Sequence, residues 1–154
     1  MNKSNLFSKI LIDIRDKSEI LQPKEFRKYI CKTLKDSISY YDWVGFYLSD
    51  GNQHLILAEF EGEPTIHTKI RFGKGICGQA AETKKTFLIK DVTKEKNYLS
   101  CSIRVKSEIV IPIIKEDKFI GELDIDSHTT NAFDNEDKEF LERICIIVAE
   151  KSEV

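Results

Sequence analysis

Residues 119–126 carry carboxylates at a spacing that could do chemistry, because Glu122, Asp124 and Asp126 recur at every second position. A β-strand alternates its side chains between two faces, so these three acids are predicted to share one face. The residues between them are predicted to form a core face: Phe119, Gly121, Leu123 and Ile125. Crowded carboxylates repel one another, so the acidic face either lies in water or holds something. The strand pattern alone favours the solvated face.

The four cysteines need separate interpretations, because no C-x-x-C pair suggests a zinc site or a redox motif. Cys31 and Cys145 lie on apolar helical stripes and are predicted to be small core residues. Cys77 lies in the glycine-rich segment 73–78 near the start of a predicted helix, where the helix dipole is expected to lower a thiol pKa. Cys101 lies in a polar segment before two cationic residues, a setting that fits a reactive thiol and an ordinary loop cysteine equally.

Composition restricts the class of protein. A chain of 154 residues suits one domain with one continuous core. Charged residues make up 32% of the chain with a net charge of -2, and the cations are scattered, which argues against a nucleic-acid or membrane surface. No apolar run approaches the length of a membrane span. These features predict a soluble, cytoplasmic protein with no nucleic-acid or membrane partner.

Hydrophobic periodicity predicts an α+β architecture. Helical spacing occurs near residues 6–14, 23–39 and 134–150, with a short helix after residue 77, and β-rich runs cover 42–48, 53–60, 66–70, 86–89, 108–114 and 118–126. Asp50 and Gly51 predict the first hairpin turn, and Asp134 with Asp137 predicts the N-cap of the last helix. Helices at the ends and strands between them predict a central antiparallel sheet with the N- and C-terminal helices packed on one face.

The first predicted strand places Trp43, Gly45 and Tyr47 on one face. Aromatic rings with polar tips suit a pocket wall, and Gly45 between them would leave room for a ligand near the backbone. The alternative is that a loop covers both rings as satellite core. The residues alone slightly favour this alternative.

Four segments together resemble the single-domain GAF proteins known as free methionine-(R)-sulfoxide reductases. They are residues 42–48, 73–78, 107–112 and 121–127, which read DWVGFYL, GKGICG, SEIVIP and GELDIDS. GAF domains in general share the glycine loop and the closing Gly-x-Leu only weakly, so the other signals are the specific ones. The resemblance covers nearly the whole chain and implies one GAF domain over residues 1–154, a GAF-like sheet and a homodimer.

The resemblance also implies an activity, the thiol-dependent reduction of free L-methionine-(R)-sulfoxide to L-methionine. It implies no metal and no organic cofactor, and a thioredoxin-like dithiol as the source of electrons. By position, Cys101 matches the nucleophile that becomes a sulfenic acid. The residues that match the substrate site are Trp43, Tyr47, Glu108, Asp124 and Asp126. Glu122 matches no such position and is expected to face solvent.

The chemistry of sulfoxide reduction explains why a site would need these residue types. A sulfoxide sulfur becomes electrophilic once its oxygen is protonated, so the site needs a carboxylic acid that keeps its proton near neutral pH. Crowding raises carboxyl pKa values, which makes Glu108 or Asp126 the candidate donor. A remaining carboxylate can hold the ammonium group of a free amino acid, and Trp43 would pack the S-methyl group.

The sequence departs from the family pattern at His67, where family members commonly carry a further cysteine. The resemblance therefore implies that Cys77 forms the disulfide with Cys101, or that an external thiol resolves the sulfenic acid. His54, His67 and His128 show no metal-ligand spacing. The rival functions are a non-catalytic GAF sensor of a small molecule and a redox sensor in which the two loop cysteines respond to oxidant.

Overall fold

A six-stranded antiparallel sheet with helices on both sides forms the fold of the computed structural model, which describes residues 2–99 and 103–152. The elements are α1 (Lys3–Ser18), α2 (Pro23–Ser37), β1 (Trp43–Ser49), β2 (His54–Glu61), β3 (Lys69–Arg71), α3 (Gly75–Thr83), β4 (Phe87–Ile89), β5 (Ser107–Lys115), β6 (Lys118–Ser127) and α4 (Asn135–Lys151). The predicted α+β class is confirmed. None of the helices in the described ranges is long and apolar enough to cross a membrane.

The sheet has the strand order β3-β2-β1-β6-β5-β4. Local hairpins pair β1 with β2 and β5 with β6, as the turn signals predict. The pairing of β1 with β6 joins strands that are distant in sequence, for example Trp43 with Asp126 and Tyr47 with Glu122. This pairing places the acidic strand β6 in the middle of the sheet.

The two faces of the sheet bury different clusters of side chains. The larger cluster packs α1, α2 and α4 against one face and contains Val44, Phe46, Leu123 and Ile125. This confirms the prediction that the N- and C-terminal helices share a face. The other face is covered by α3, which contacts β5 and β6. Cys77 belongs to this second cluster.

The prediction that Phe119 shares the core face with Leu123 is wrong. Phe119 packs in the second cluster, and its ring meets that of Phe72 edge-on at 5.5 Å between centroids. The register explains the change, since Ile113 pairs with Gly121 but the next residue, Ile114, pairs with Phe119. Ile120 is the extra residue of a β-bulge, and a bulge reverses the alternation of side chains on one side of it.

Asp137 anchors α4 to the rest of the fold. Asp134 and Asp137 form the predicted capping box at the start of α4. The Asp137 carboxylate is wholly buried, accepts hydrogen bonds from the hydroxyls of Tyr40 and Tyr41, each at 2.7 Å, and forms an ion pair with Lys3 at 2.7 Å. One buried carboxylate therefore ties α4 to α1 and to the segment before β1.

Asp137→Asn is expected to lower the free energy of unfolding by about 2–3 kcal/mol, because the amide weakens hydrogen bonds to a charged group and loses the ion pair with Lys3. Chemical denaturation measures the change. Glu139→Gln is the matched control, since Glu139 is exposed on the same helix. Equal stabilities for the two variants would contradict this role of Asp137.

Candidate functional site

Three adjacent strands build an acidic patch on the face that α3 covers. Each acid of β6 lies between one residue of β1 and one of β5. The three rows are Trp43–Asp126–Glu108, Gly45–Asp124–Val110 and Tyr47–Glu122–Pro112. Glu108 therefore pairs directly with Asp126, and Asp124 lies in the neighbouring row. The predicted clustering of these carboxyl groups is a consequence of strand register.

The acidic patch is buried. Glu108 is 5% exposed, Asp124 and Asp126 are 1% exposed, and Glu122 is 0% exposed. The prediction that Glu122 faces solvent is wrong, as is the solvated-face interpretation of the whole strand. The alternation of the strand was predicted correctly, but α3 and the loops around it cover the face that would otherwise be wet.

Cys77 faces these carboxyl groups from the first turn of α3. Gly75 opens the helix with a positive φ of 64°, a backbone conformation that favours glycine. The Cys77 thiol donates a hydrogen bond to Glu108 Oε2 with a sulfur–oxygen distance of 4.0 Å. The Cys77 sulfur and one carboxyl oxygen each of Glu108 and Asp124 all lie within 4.8 Å of one another. Helix α3 and two neighbouring inner strands, β5 and β6, therefore converge on one point.

The Cys77 pKa is raised, contrary to the prediction from its helical position. Burial is the main cause, and the negative charges of Asp124, Glu122, Glu108 and Asp126 add to it. The dipole of a nine-residue helix is a weak effect beside loss of hydration and four carboxyl groups. Cys77 is therefore a thiol near neutral pH.

The carboxyl groups also hold protons more tightly than usual. Burial raises the pKa of Glu108 well above its ordinary value, with further contributions from the charges of Asp124 and Asp126 and hydrogen bonds to them. Burial and the charge of Asp124 raise the pKa values of Asp126 and Glu122 well above the ordinary range. Burial raises the pKa of Asp124 as well, but hydrogen bonds from Glu108 and Cys77 oppose the rise. Asp124 is the member of the cluster that ionises most readily.

Several buried oxygens of this patch lack a hydrogen-bond donor among the described residues. They are both carboxyl oxygens of Glu122 and the Oδ1 atoms of Asp124 and Asp126. Buried polar atoms in folded proteins are nearly always hydrogen-bonded, and of these residues Asp124 lines the adjoining cavity, where a ligand could bring a donor. A cationic or hydroxyl-bearing ligand fits this requirement.

A small cavity of about 10 Å³ adjoins the patch, roughly the space of one water molecule. Its lining residues are Tyr47, His67, Ile70, Gly75, Ile76, Cys77, Leu99, Glu108 and Asp124. Leu99 closes it by packing against Gly75, where an added Cβ would lie 2.8 Å from Leu99 Cγ. Asn97 fixes this contact by accepting a hydrogen bond from Gly75 N–H and donating one to Gly73 O, each at 2.9 Å. An amino acid enters only if this cover is displaced.

Tyr47 and Trp43, the two aromatic residues predicted to form a pocket wall, have different surroundings. Tyr47 lines the cavity, and its hydroxyl donates a hydrogen bond to His67 O at 2.8 Å. Trp43 is absent from the lining among the described residues, stacks on Phe60 at 5.5 Å and donates from Nε1 to Glu63 O at 2.9 Å. The prediction that Gly45 leaves open space for a ligand is wrong, because the Trp43 ring fills that space. The covering-loop alternative therefore describes Trp43.

The comparisons with known proteins agree with this geometry. A family model for the GAF domain matches residues 28–150. The solved structure of a free methionine-R-sulfoxide reductase from Neisseria meningitidis, in complex with its substrate, matches with a TM-score of 0.93 and 31% sequence identity, and the match covers 98% of this chain and 90% of that one. The chain belongs to the free methionine-R-sulfoxide reductase family of GAF domains.

Two other members of this reductase family show the same likeness. The structure of the fRMsr of Staphylococcus aureus in complex with substrate matches with a TM-score of 0.87 and 36% identity over 94% of each chain. The free methionine-R-sulfoxide reductase of Saccharomyces cerevisiae is 43% identical over 110 residues, which is 70% of this chain and 61% of the yeast protein. The aligned part of the chain thus spans less than two thirds of the yeast relative's length. The predicted family and GAF fold are confirmed.

The cysteine predictions have different outcomes in this family member. Cys31 and Cys145 are buried free thiols, which confirms their interpretation as core residues. Cys77 is also a free thiol. Cys101 lies outside the described residues, so its role as nucleophile and its pairing with Cys77 remain predictions. His67, at the position where the resemblance implied a further cysteine, lines the cavity beside Cys77.

One group of side chains in the described ranges has the spacing to share a metal ion: Cys77, Glu108 and Asp124. The thiol would first have to lose its proton, which the raised pKa of Cys77 opposes. A substrate ammonium group would need the same carboxylate oxygens. The absence of a metal from the reaction remains a prediction.

Sequence reasoning missed the buried Glu122 and the apolar residues that enclose the cavity. The strand alternation already placed Glu122 on the same face as Asp124, so the signal was present in the sequence. Ile70, Ile76 and Leu99 come from three separate segments, and no local pattern connects them. The closing contacts of Asn97 likewise depend on the tertiary arrangement.

Proposed function

We propose that this protein reduces free L-methionine-(R)-sulfoxide to L-methionine. The observation that carries the proposal is the buried carboxyl cluster beside the Cys77 thiol, in a chain of the reductase family. Its raised carboxyl pKa values keep protons available near neutral pH, which activation of a sulfoxide requires. The substrate complexes of the Neisseria and Staphylococcus relatives support the same substrate class.

The protonation state of each acid determines its role in the proposed reaction. Asp124, the most readily ionised member, holds the substrate ammonium group through its unsatisfied Oδ1. Glu108 and Asp126 remain protonated and donate hydrogen bonds to the sulfoxide oxygen, with Glu108 as the proton donor. A peptide-bound methionine sulfoxide has an amide in place of the ammonium group. The site therefore favours the free amino acid.

The thiol steps transfer the oxygen and two electrons. The Cys101 thiolate attacks the sulfur of the protonated sulfoxide, methionine leaves, and the oxygen remains on Cys101 as a sulfenic acid. The methionine sulfur is reduced by two electrons, and the Cys101 sulfur is oxidised by two. Cys77 then attacks the sulfenic acid to form a disulfide, and an external dithiol of the thioredoxin type restores both thiols.

The closed cavity favours a second candidate, a GAF sensor whose cysteines respond to oxidant. A site that holds about one water molecule would suit a buried thiol switch better than rapid turnover. The two functions differ in their product, since a sensor oxidised by peroxide releases no methionine.

The test is turnover of free L-methionine-(R)-sulfoxide with excess dithiothreitol, followed by methionine release. The free S epimer and a peptide-bound sulfoxide are the substrate controls. We expect methionine from the free R epimer alone, and none from Cys101→Ser.

Cys145→Ser is the matched cysteine control, because Cys145 is buried on the opposite face of the sheet. The Cys145→Ser variant should still convert the free R epimer to methionine. A wild-type protein that binds methionine sulfoxide yet forms no methionine would exclude the reductase function and leave the sensor.

A further inference from the structure

We propose that Cys77, Glu108 and Asp124 bind a zinc ion, and that zinc bound there excludes the substrate. The ion acts as an inhibitor and not as a cofactor, because it occupies groups that the proposed reaction needs. The exclusion of substrate rests on the proposed function, whereas the binding of zinc stands without it. All three ligands lie within the described part of the chain.

The three ligands come from elements that pack directly together. Cys77 lies in the first turn of α3, Glu108 in β5 and Asp124 in β6, and α3 contacts both strands. The cysteine sulfur and one oxygen of each acid lie within 4.8 Å of one another. Tetrahedral zinc holds such atoms about 3.4–3.6 Å apart, so they need to approach one another by less than about 1.5 Å. Rotation of the three side chains provides a movement of this size.

The cavity beside the three ligands provides a fourth position. All three residues line this space of about 10 Å³, which has roughly the room of one water molecule. Three protein ligands and one water form the tetrahedral set of an open zinc site. The cavity therefore suits a small ion that has lost most of its water.

A buried oxygen without a donor is an independent sign of a cation. Asp124 is 1% exposed, and its Oδ1 lacks a hydrogen-bond donor among the described residues. The same side chain lines the cavity. A buried acceptor without a partner costs free energy, and a metal ion satisfies such an oxygen as well as a hydrogen-bond donor does.

The mixture of sulfur and oxygen ligands favours zinc over other common ions. Mg²⁺ and Ca²⁺ take about six or more oxygen ligands, which this enclosed site does not offer among the described residues. Cu⁺ prefers sulfur ligands, and the cluster contains one sulfur and two carboxyl groups. Zn²⁺ accepts thiolate and carboxylate together in a sphere of four ligands.

Zinc takes the place of the thiol proton. Burial and the neighbouring carboxyl groups raise the pKa of Cys77, so the thiol keeps its proton when no cation is present. The charge of Zn²⁺ offsets the charges of the carboxyl groups, and a coordinated thiol is deprotonated. The S–H bond breaks, the S–Zn bond forms, and the proton passes to solvent.

The ion and the substrate need the same atoms. In the proposed reaction Asp124 holds the substrate ammonium group, and Glu108 gives a proton to the sulfoxide oxygen. Zinc occupies the carboxylate of Asp124 and one oxygen of Glu108. Zinc and free methionine sulfoxide are therefore expected to compete for the site.

Direct binding tests the site in the chain kept reduced by a phosphine, because dithiothreitol itself chelates zinc. Competition with a chromogenic chelator measures zinc affinity. Cobalt(II) in place of zinc reports a thiolate ligand by its charge-transfer absorption. The ligand variants are Cys77→Ser, Glu108→Gln and Asp124→Asn. Cys145→Ser, which changes a buried thiol on the opposite face, is the matched control, and Cys101→Ser tests the remaining loop thiol.

We expect wild type to bind one zinc ion per chain and to show the cobalt band. Cys77→Ser should abolish the band and weaken zinc binding by roughly 10²-fold or more. Glu108→Gln and Asp124→Asn should keep the band and weaken zinc binding by roughly 10- to 10²-fold each. Cys145→Ser and Cys101→Ser should match wild type.

Three results would overturn the inference. They are equal zinc affinity in wild type and Cys77→Ser, loss of the cobalt band in Cys101→Ser, and zinc binding by wild type without a cobalt band. The first and third would show an adventitious ion only. A Cys77→Ser variant that fails to fold does not obscure the answer, because the band in wild type tests for a thiolate ligand and the band in Cys101→Ser identifies it.

Competition with substrate is measured in Cys101→Ser, which is not expected to turn the sulfoxide over. Free methionine-(R)-sulfoxide should weaken zinc binding more than the S epimer, which chelates zinc equally in solution. If the sulfoxide has no effect and wild type forms no methionine, the proposed function fails and the zinc site stands. If wild type forms methionine but binds no zinc, the inference alone fails. Methionine formation with zinc binding that the sulfoxide leaves unchanged would overturn the exclusion of substrate.

Discussion

Glu108→Gln should lower kcat for free methionine-(R)-sulfoxide by roughly 10²- to 10⁴-fold, the usual contribution of a general acid. Glutamine retains the shape of the side chain but has no acidic proton to give to the sulfoxide oxygen. Burial and the neighbouring acids hold that proton on Glu108 in the native protein. Steady-state kinetics with dithiothreitol measure the change.

Asp124→Asn is the informative comparison, because Asp124 is proposed to bind the substrate ammonium group rather than to donate the proton. We expect it to raise KM more than it lowers kcat. The division of roles would be wrong if the two variants had the same pattern, with kcat lost equally and KM unchanged. Circular dichroism of both variants checks that the sheet is intact.

The free energy of unfolding should fall as pH rises from about 5 to about 8, because the buried carboxyl groups must give up their protons. The pKa values of Glu108, Glu122 and Asp126 are raised in the folded state above ordinary values of 4.5, 4.5 and 3.8. Between the ordinary and the raised pKa, the folded protein binds more protons than the unfolded chain. Stability from these groups is therefore complete at low pH and is lost with increasing pH.

Glu122→Gln isolates one member of this cluster. One group can change the free energy of unfolding by at most about 1.4 kcal/mol per pH unit. We expect the Glu122→Gln variant to show a shallower decline than wild type in denaturant titrations at several pH values. Glu139→Gln, at an exposed position, should follow the wild-type curve. Parallel curves for all three proteins would show that Glu122 ionises as easily when folded as when unfolded.

The stability cost of the acidic patch is consistent with a site kept for function. An apolar residue at Glu122 or Asp124 would pack under α3 without an unsatisfied acceptor. The fold instead keeps four carboxyl groups in a dry layer next to a thiol. Their proximity gives the proton-rich environment that sulfoxide reduction requires.

Local sequence signals determined most of the elements. Asp134 and Asp137 predicted the start of α4, because a side chain caps the helix within three residues of its own position. Asp50 and Gly51 predicted the turn between β1 and β2, since both hairpin strands are neighbours along the chain. The alternation of β6 predicted that Glu122, Asp124 and Asp126 share a face.

Tertiary structure decided what that face does. The pairing of β1 with β6 and the packing of α3 join segments far apart in sequence, and only they determine that Glu122 is buried and that the Cys77 pKa rises. The bulge at Ile120 places Phe119 on the opposite face of the sheet, and no residue pattern in β6 predicts this bulge. Side-chain periodicity and helix capping involve residues that are close together in the chain, so they can be predicted from the sequence. Burial and electrostatics sum over every element that packs nearby, so they exist only in the assembled fold.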